Sequence, residues 1–341
     1  MSKITRAKLE NLTAFAELEQ EFSPGINVLI GANGTGKTHL LKVLYAACAI
    51  TIGEDIDKGF GIKLKNVFNP YEGRLGRLVR RLSGLNEARI SVNRENRVNL
   101  SVEFQKNTDT FHTINEAEWI QVSLESAYIP VKEMLTHAPG FLATAARREI
   151  AFEEIYVDII KRAFLPKLAE PPSPVHARLL ATLQNTIEGK VVAKGEYFFL
   201  KNRQGNLEFT LLAEGIRKLA LIWLLIQNGT LSQGSILFWD EPEANLNPSL
   251  MGQLVEVILE LQRLGVQVFL ATHNYVLLKE FDLRKKNGDA VRYISLFRDE
   301  SGSVSGQASD TYSDIHPNAI SDTFADLYRR DIARALKSHS Q

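Results

Sequence analysis

Eight residues constrain this chain more than any others: Gly31-Ala32-Asn33-Gly34-Thr35-Gly36-Lys37-Thr38. An apolar run over residues 26–30 precedes them and the helix-forming run His39-Leu40-Leu41-Lys42-Val43-Leu44-Tyr45 follows, so the octet falls where a strand turns into a helix. That is the setting a phosphate-binding loop requires. Successive backbone N–H groups of a glycine-rich turn converge on an anion, and the helix N-terminus behind them adds roughly half a positive charge. Gly31, Gly34 and Gly36 let the backbone approach closely and use positive φ. Lys37 would reach the β- and γ-phosphates, and the Thr38 hydroxyl would bind Mg²⁺. Asn33, Thr35 and His39, in and beside the loop, complete the expected nucleotide contacts. The competing reading, a strand-to-helix turn with an incidental lysine, has to be decided by later residues.

Composition permits the core such a loop needs. The chain has 341 residues, 45% apolar and 23% charged, which fits one large or two modest domains. Forty basic residues offset forty acidic ones, so net charge gives no argument for nucleic acid or membrane, and only local patches count. The single cysteine, Cys48, falls on the helix after the octet and has no internal disulfide partner. It is expected to pack in the core, and the compartment reads as reducing. Residues 1–20 are polar and mixed in charge, unlike a secretory leader, and the longest apolar run, residues 219–226, is too short to span a bilayer. A cytoplasmic protein without a membrane anchor is the expectation.

Three segments follow from the patterning: residues 1–52, 53–189 and 190–341. In the first, strands are expected over 4–9, 14–22 and 26–30, with a helix from 37 to about 51. In the second, residues 73–81 space Leu75, Leu78, Val79 and Leu82 as one helical face, with Arg74, Arg77, Arg80 and Arg81 largely on the other. A hairpin over 88–104 turns near Glu95-Asn96, and an amphipathic helix covers 149–165. Pro166, Pro171, Pro172 and Pro174 then make a rigid connector before a helix over 176–187. Residues 61–100 hold nine Lys/Arg against three Asp/Glu. This is either a solvated basic face or a contact to nucleic-acid phosphates. In the third segment a hairpin is expected from strands 190–200 and 207–212, then a helix over 214–227, a strand over 235–239, a helix over 248–264 and a strand over 266–271. A strand over 291–297, a polar loop over 301–309 and a helix over 319–336 close the pattern. Such alternation predicts a mainly parallel sheet covered by helices.

Ile236-Leu237-Phe238-Trp239-Asp240-Glu241 is an apolar strand ending in two carboxylates, the form of a Walker B element. An NTPase needs the pair because Asp240 must hold the Mg²⁺ hydration shell while Glu241 orients and deprotonates the attacking water. Lys37 and Asp240 lie more than two hundred positions apart, so a large insertion separates two halves of one nucleotide-binding core. Beyond the carboxylates, Pro242-Glu243-Ala244-Asn245-Leu246-Asn247-Pro248 resembles the D-loop of ABC-type ATPases, and Ala271-Thr272-His273-Asn274 resembles their switch histidine.

These residues make the chain resemble a stand-alone ABC-type ATPase of the SMC/RecF/OLD group, over roughly residues 1–50 and 190–340. The resemblance implies an α/β P-loop NTPase head with a mixed sheet covered by helices and a large α+β insertion between Walker A and Walker B. It implies ATP and Mg²⁺ as cofactors, and two copies sandwiching two ATP molecules, with the D-loop residues Ala244, Asn245 and Leu246 at the interface. The family's signature motif would fall at Leu212-Ala213-Glu214-Gly215-Ile216-Arg217-Lys218, with Ala213 where a serine is usual. Gly215 and the helix N-terminus could still face a phosphate of the opposite subunit, and Arg217 or Lys218 could supply charge in trans; a helix that only packs is the alternative. An altered signature implies weak turnover or an ATP-gated switch. In Tyr128-Ile129-Pro130-Val131-Lys132-Glu133-Met134, Lys132 or Glu133 would serve as the Q-loop, although no glutamine is present and an ordinary loop is the other reading.

What closure would operate is open at this level. One expectation is an antiphage or regulatory module acting on DNA or with a separate effector protein, because no acidic cluster of a nuclease follows His273. Another is a DNA-repair or recombination ATPase using the basic insertion. A transporter motor is disfavoured by the long insertion and altered signature.

Overall fold

The computed structural model describes residues 3–95, 97–147, 152–170 and 173–338. Asn96 of the expected turn, residues 149–151 of the expected helix, and Pro171 and Pro172 of the connector lie outside the described residues.

In chain order, β1 (Ile4–Leu12), β2 (Phe15–Glu21) and β3 (Ile26–Ile30) lead through the glycine loop into α1 (Lys37–Ala49). Then come α2 (Asp55–Phe68), β4 (Glu87–Arg94), β5 (Asn99–Gln105), β6 (Phe111–Ile114), the short α3 (Glu116–Trp119) and β7 (Ser126–Ile129). The helices α4 (Phe141–Ala146), α5 (Glu154–Ala163) and α6 (Pro174–Thr186) precede β8 (Lys190–Lys194), β9 (Tyr197–Asn202) and β10 (Gly205–Glu208). After α7 (Glu214–Gln227) the chain alternates through β11 (Ile236–Asp240), α8 (Met251–Arg263), β12 (Gln267–Thr272) and α9 (Tyr275–Arg284). It finishes with β13 (Val291–Arg298), β14 (Val304–Ser309) and α10 (Ala319–Ser338).

A six-stranded sheet in the order β14-β13-β3-β12-β11-β7 organises the molecule. All its pairings are parallel except β13 with β14, so the sheet is mixed. Side chains alternate faces along a strand, and the two cores divide accordingly. Val28, Leu237, Trp239, Val268 and Leu270 join the cluster under α7, α8 and α9. Leu29, Ile236, Phe238, Phe269 and Ala271 join the cluster that contains the apolar residues of α1. Asp240 shares the parity of Ile236 and Phe238, so the strand's own alternation aims its carboxylate at the start of α1.

A second, antiparallel sheet has the order β2-β1-β4-β5-β6, and a third is β10-β9-β8. Residues 53–189 thus contribute three strands to the sheet begun by β1 and β2, and one, β7, to the edge of the central sheet.

Three expectations fail. Residues 73–81 are not a helix. Short 3₁₀ turns at Tyr71–Gly73 and Leu75–Leu78 give way to extended backbone. Gly76 lies so close to the end of β5 that a Cβ would come 2.4 Å from the Gln105 carbonyl oxygen. Beyond the local 3₁₀ turns the backbone bonds to the end of β1 and the turn after it: Thr13 N donates to Leu78 O and Arg80 N to Asn11 O. The apolar residues Leu75, Leu78 and Val79 are buried all the same, while Leu82 is exposed. The strand expected over 190–200 is broken into β8 and β9 by a turn at Gly195, whose φ is +58°. The polar stretch 301–309, read as a loop, contains β14, which pairs along β13 from Arg298–Val304 to Tyr293–Ser309.

Candidate nucleotide site

The glycine loop is shaped by close packing from distant parts of the chain. At Gly31 (φ +150°) a Cβ would come 2.2 Å from the Leu296 carbonyl oxygen of β13, and at Gly36 (φ +87°) a Cβ would come 2.5 Å from the Phe15 ring of β2. Either side chain would push the loop out of its bend. Thr35 Oγ1 donates to Ala32 O at 2.9 Å, closing the turn. Lys37, buried at the first turn of α1, donates to Gly31 O and Ala32 O at 2.7 and 3.0 Å. Burial lowers its pKa, an effect opposed by the negative charges of Glu241, Asp240 and Glu243. Asn33 and Gly34 are exposed at the loop's crest.

The two halves of the chain meet at Thr38, whose Oγ1 donates to Asp240 Oδ2 at 2.9 Å across 202 positions. Tyr128 OH of β7 donates to the same oxygen at 3.3 Å. Burial raises the Asp240 pKa, with the Thr38 hydrogen bond working against it. Glu241 follows at φ +47°, a left-handed conformation costing a residue with a Cβ roughly 1–2 kcal/mol. That bend turns its carboxylate toward His273, whose Nδ1 lies 3.1 Å from Glu241 Oε1 at the end of β12. His273 is half exposed.

The cradle, Lys37 and the Thr38–Asp240 pair fit a nucleotide with its divalent cation. Backbone N–H groups and one ammonium suit phosphates, and a hydroxyl with a carboxylate suits Mg²⁺, which takes few protein ligands beside phosphate oxygens and water. His39 stands apart from this set: its Nδ1 is 2.9 Å from Thr13 Oγ1 and its ring lies 5.6 Å from that of Phe68. Burial and the nearby Lys42 hold its pKa down at about 4, so it is neutral at pH 7.

The signature segment is engaged within its own chain. Gly215 is buried where α7 meets the D-loop, and a Cβ there would come 2.7 Å from Leu246 Cδ1. Lys218, buried, donates to Ala244 O at 2.7 Å, and Asn245 Nδ2 donates to Glu214 Oε2 at 3.0 Å. Arg217 pairs through Nη1 with Glu133 Oε2 at 3.2 Å. Both cations expected to reach across to another molecule are therefore spent in cis in this state. Ala213 is exposed at the N-cap of α7, which has no side-chain cap. Of the two Q-loop candidates, Lys132 is exposed and Glu133 is buried.

Three residues at the site were not singled out from sequence. Glu243 lies buried within the D-loop, its Oε1 accepting from Thr272 Oγ1 at 2.5 Å and from the His273 N–H at 3.3 Å. Burial raises its pKa. Its place four residues beyond the strand expected over 235–239 is the only hint sequence offers. Arg298, ending β13, donates to Gly34 O and Gly302 O, each at 3.0 Å, and so clips the crest of the loop. Neither Arg298 nor Tyr128 carries any local pattern that marks it.

Two family models match the chain. One described as an AAA domain covers residues 6–133, and one described as "AAA domain, putative AbiEii toxin, Type IV TA system" covers residues 147–279. The DNA double-strand break repair Rad50 ATPase of Methanopyrus kandleri is 50% identical over 44 residues, 13% of this chain and 5% of that one. The DNA replication and repair protein RecF of Cytophaga hutchinsonii is 47% identical over 45 residues, 13% of this chain and 12% of the relative. RecF of Salinibacter ruber is 31% identical over 71 residues, 21% and 17% of the two. These stretches span only 5–17% of the relatives' own lengths. The fold compares with that of the Smc head domain with an extended coiled coil bound to the C-terminal domain of ScpA, derived from Pyrococcus furiosus. There the TM-score is 0.57 at 12% identity, over 91% of this chain and 96% of that one. An SmcHead bound to the C-winged helix domain of ScpA gives the same TM-score at 13% identity, over 90% and 97%. Phosphate loop, facing carboxylates and matched AAA domains make the chain similar to ATPases of the SMC/RecF-like ABC type, on a fold shared with SMC heads.

Proposed function

We propose that this protein is a nucleotide-dependent dimer switch: it binds ATP with Mg²⁺, closes on a second copy, and reopens on hydrolysis. The observation that carries the reading is the 2.9 Å contact between Thr38 and Asp240, which joins residues 202 positions apart at one point. ATP bound there supplies a labile phosphoanhydride, and Mg²⁺ neutralises charge on its phosphates. Lys37 would exchange its loop carbonyls for phosphate oxygens, and Thr38 and Asp240 would separate to hold the cation between them. Glu241 would take the proton of the attacking water, with His273 orienting that carboxylate from 3.1 Å. The test is Glu241→Gln. ATP binding should persist, hydrolysis should fall by about 10²–10⁴-fold, and gel filtration with ATP and Mg²⁺ should show a trapped dimer. A variant that binds ATP yet stays monomeric would overturn the sandwich.

The reading extends to a cytoplasmic protein acting on DNA or through a separate effector. Contact with nucleic acid is supported by a surface recess of about 560 Å³ bordered by Arg74, Arg77, Arg81 and Lys106. Arg77, Arg81 and Lys106 make no ion pair among the described residues, and exposed Tyr71 beside Arg77 offers a ring for base stacking. Its affinity for oligonucleotides should drop steeply with salt. An effector role in antiphage defence draws on the toxin–antitoxin wording of the family matched over residues 147–279. No helix among the described residues is long and apolar enough to cross a membrane.

A further inference from the structure

One helix of the fold is stripped of packing. Along α10, every residue from Asp322 to Lys337 is exposed. Yet the helix carries an apolar ridge, Phe324, Leu327, Tyr328 and Ile332, at the i, i+3, i+4, i+8 spacing of one face; these are 37, 51, 72 and 54% exposed. A 20-residue helix is about 30 Å long. Helices in water owe most of their stability to packing an amphipathic face, so a ridge of this length is built to be covered.

The two ends of the ridge differ in chemistry. At its base, Tyr275 of α9 stacks on Phe324 with ring centroids 4.4 Å apart. Here a recess of about 370 Å³ is bordered by Tyr275, Tyr312, Phe324, Tyr328 and the carboxylate of Asp322. Asp322 and Asp326 are the charges of the first half of the helix, whereas Arg329, Arg330, Arg334 and Lys337 outweigh Asp331 in the second. The ion pairs inside the helix, Arg330–Asp326 and Arg334–Asp331, are exposed and therefore weak enough to exchange.

We propose that this face docks on the same face of a second copy, the two α10 helices running antiparallel about a two-fold axis, without nucleotide. An isologous contact must complement itself end to end. Antiparallel pairing does so, setting the basic half of each helix over the acidic, aromatic base of the other, where a guanidinium finds both a carboxylate and tyrosine rings. A partner of uniform charge would meet like charge at one end, and parallel pairing would set like against like throughout. This contact is separate from the ATP sandwich and uses none of its residues. It lies beside the switch segment, because Tyr275 follows His273 by two positions.

Sedimentation equilibrium of the full chain without nucleotide tests it. A concentration-dependent dimer is expected, lost in Tyr328→Glu and in Ile332→Glu while their circular-dichroism spectra stay those of the folded chain, since both side chains are exposed in the monomer. Asp322→Arg should weaken it by about tenfold. Lys37→Ala, which disables ATP binding, should leave it intact, so failure of the sandwich and failure of this contact give different results. A chain that is monomeric at all concentrations without nucleotide, or a dimer indifferent to Tyr328→Glu, overturns the proposal.

Discussion

The two halves of the site differ in what their charged groups already hold. On the phosphate side, Lys37 donates only to carbonyls of its own loop and Thr38 rests against Asp240. Such contacts can be traded for phosphate and cation with little rearrangement. On the signature side, Lys218, Arg217 and Glu214 are bonded to the D-loop carbonyl of Ala244, to Glu133 and to Asn245, with Gly215 packed under Leu246. There the helix start, the D-loop and residue 133 form one bonded unit. The first half is prepared for a ligand, the second for cohesion, and any reach across a dimer must move that unit whole or break it.

Substitutions can sharpen or break this contrast. Asp240→Asn should have the largest effect, lowering Mg²⁺-dependent phosphate release by about 10³-fold while folding is retained, because several kcal/mol of charge stabilisation is lost. Next, Lys37→Ala should weaken ATP binding by about 100-fold in calorimetry, the loss of one or two charge-assisted bonds of about 1.5–3 kcal/mol each. Lys218→Met separates the two halves directly. If the lysine serves only cohesion, stability to urea should fall by about 1–3 kcal/mol, with hydrolysis changed less than about tenfold, a smaller effect than loss of a trans cation. Unchanged stability with hydrolysis abolished would show that the cis bond breaks in the working state and would end the contrast.

The smallest effect concerns pH. The His39 pKa is depressed in the fold, so between about 4 and 6.5 the unfolded chain binds more protons than the native one, and stability rises with pH. The contribution is fully present above about pH 6.5 and is lost as pH falls toward 4, on the order of 1–3 kcal/mol. Melting curves at pH 4.5 and 7 should draw closer together in His39→Asn.

The elements nearest the phosphate were legible because their local rules agree. A mostly apolar run followed by glycines fixes β3 and α1, and the apolar run ending in carboxylates fixes β11 within one residue of the expectation. The helix from Glu214 to Gln227 is read to its ends. The rest depended on tertiary partners that no window of sequence contains. The arginine-bearing segment has helical periodicity, but Gly76 and the β1–β2 turn claim its backbone. Residues 304–309 are too polar to announce a strand, yet β13 supplies a hydrogen-bonded edge for them. In α2, Gly59 at φ +74° interrupts the turn, which hides the helix from a periodicity argument. The cis bonding of Arg217 and Lys218 was illegible for the same reason: their residue types suit a trans cation, and only the fold shows where the side chains go.

The position of β3 has a consequence for how the protein is made. This strand carries the phosphate loop, and its neighbours on the two sides are β12 and β13, Ile26 facing Val268 on one edge and Val291 on the other. A ribosome adding about 5–20 residues per second leaves those edges unpaired for on the order of 10–50 s. For that interval a fully buried strand with four apolar residues of five, which ends the fold in the centre of a sheet, stands open on both sides in the nascent chain. Its release in folded form should therefore depend on holdase chaperones far more than the antiparallel pair β1–β2, which closes within seconds of emerging.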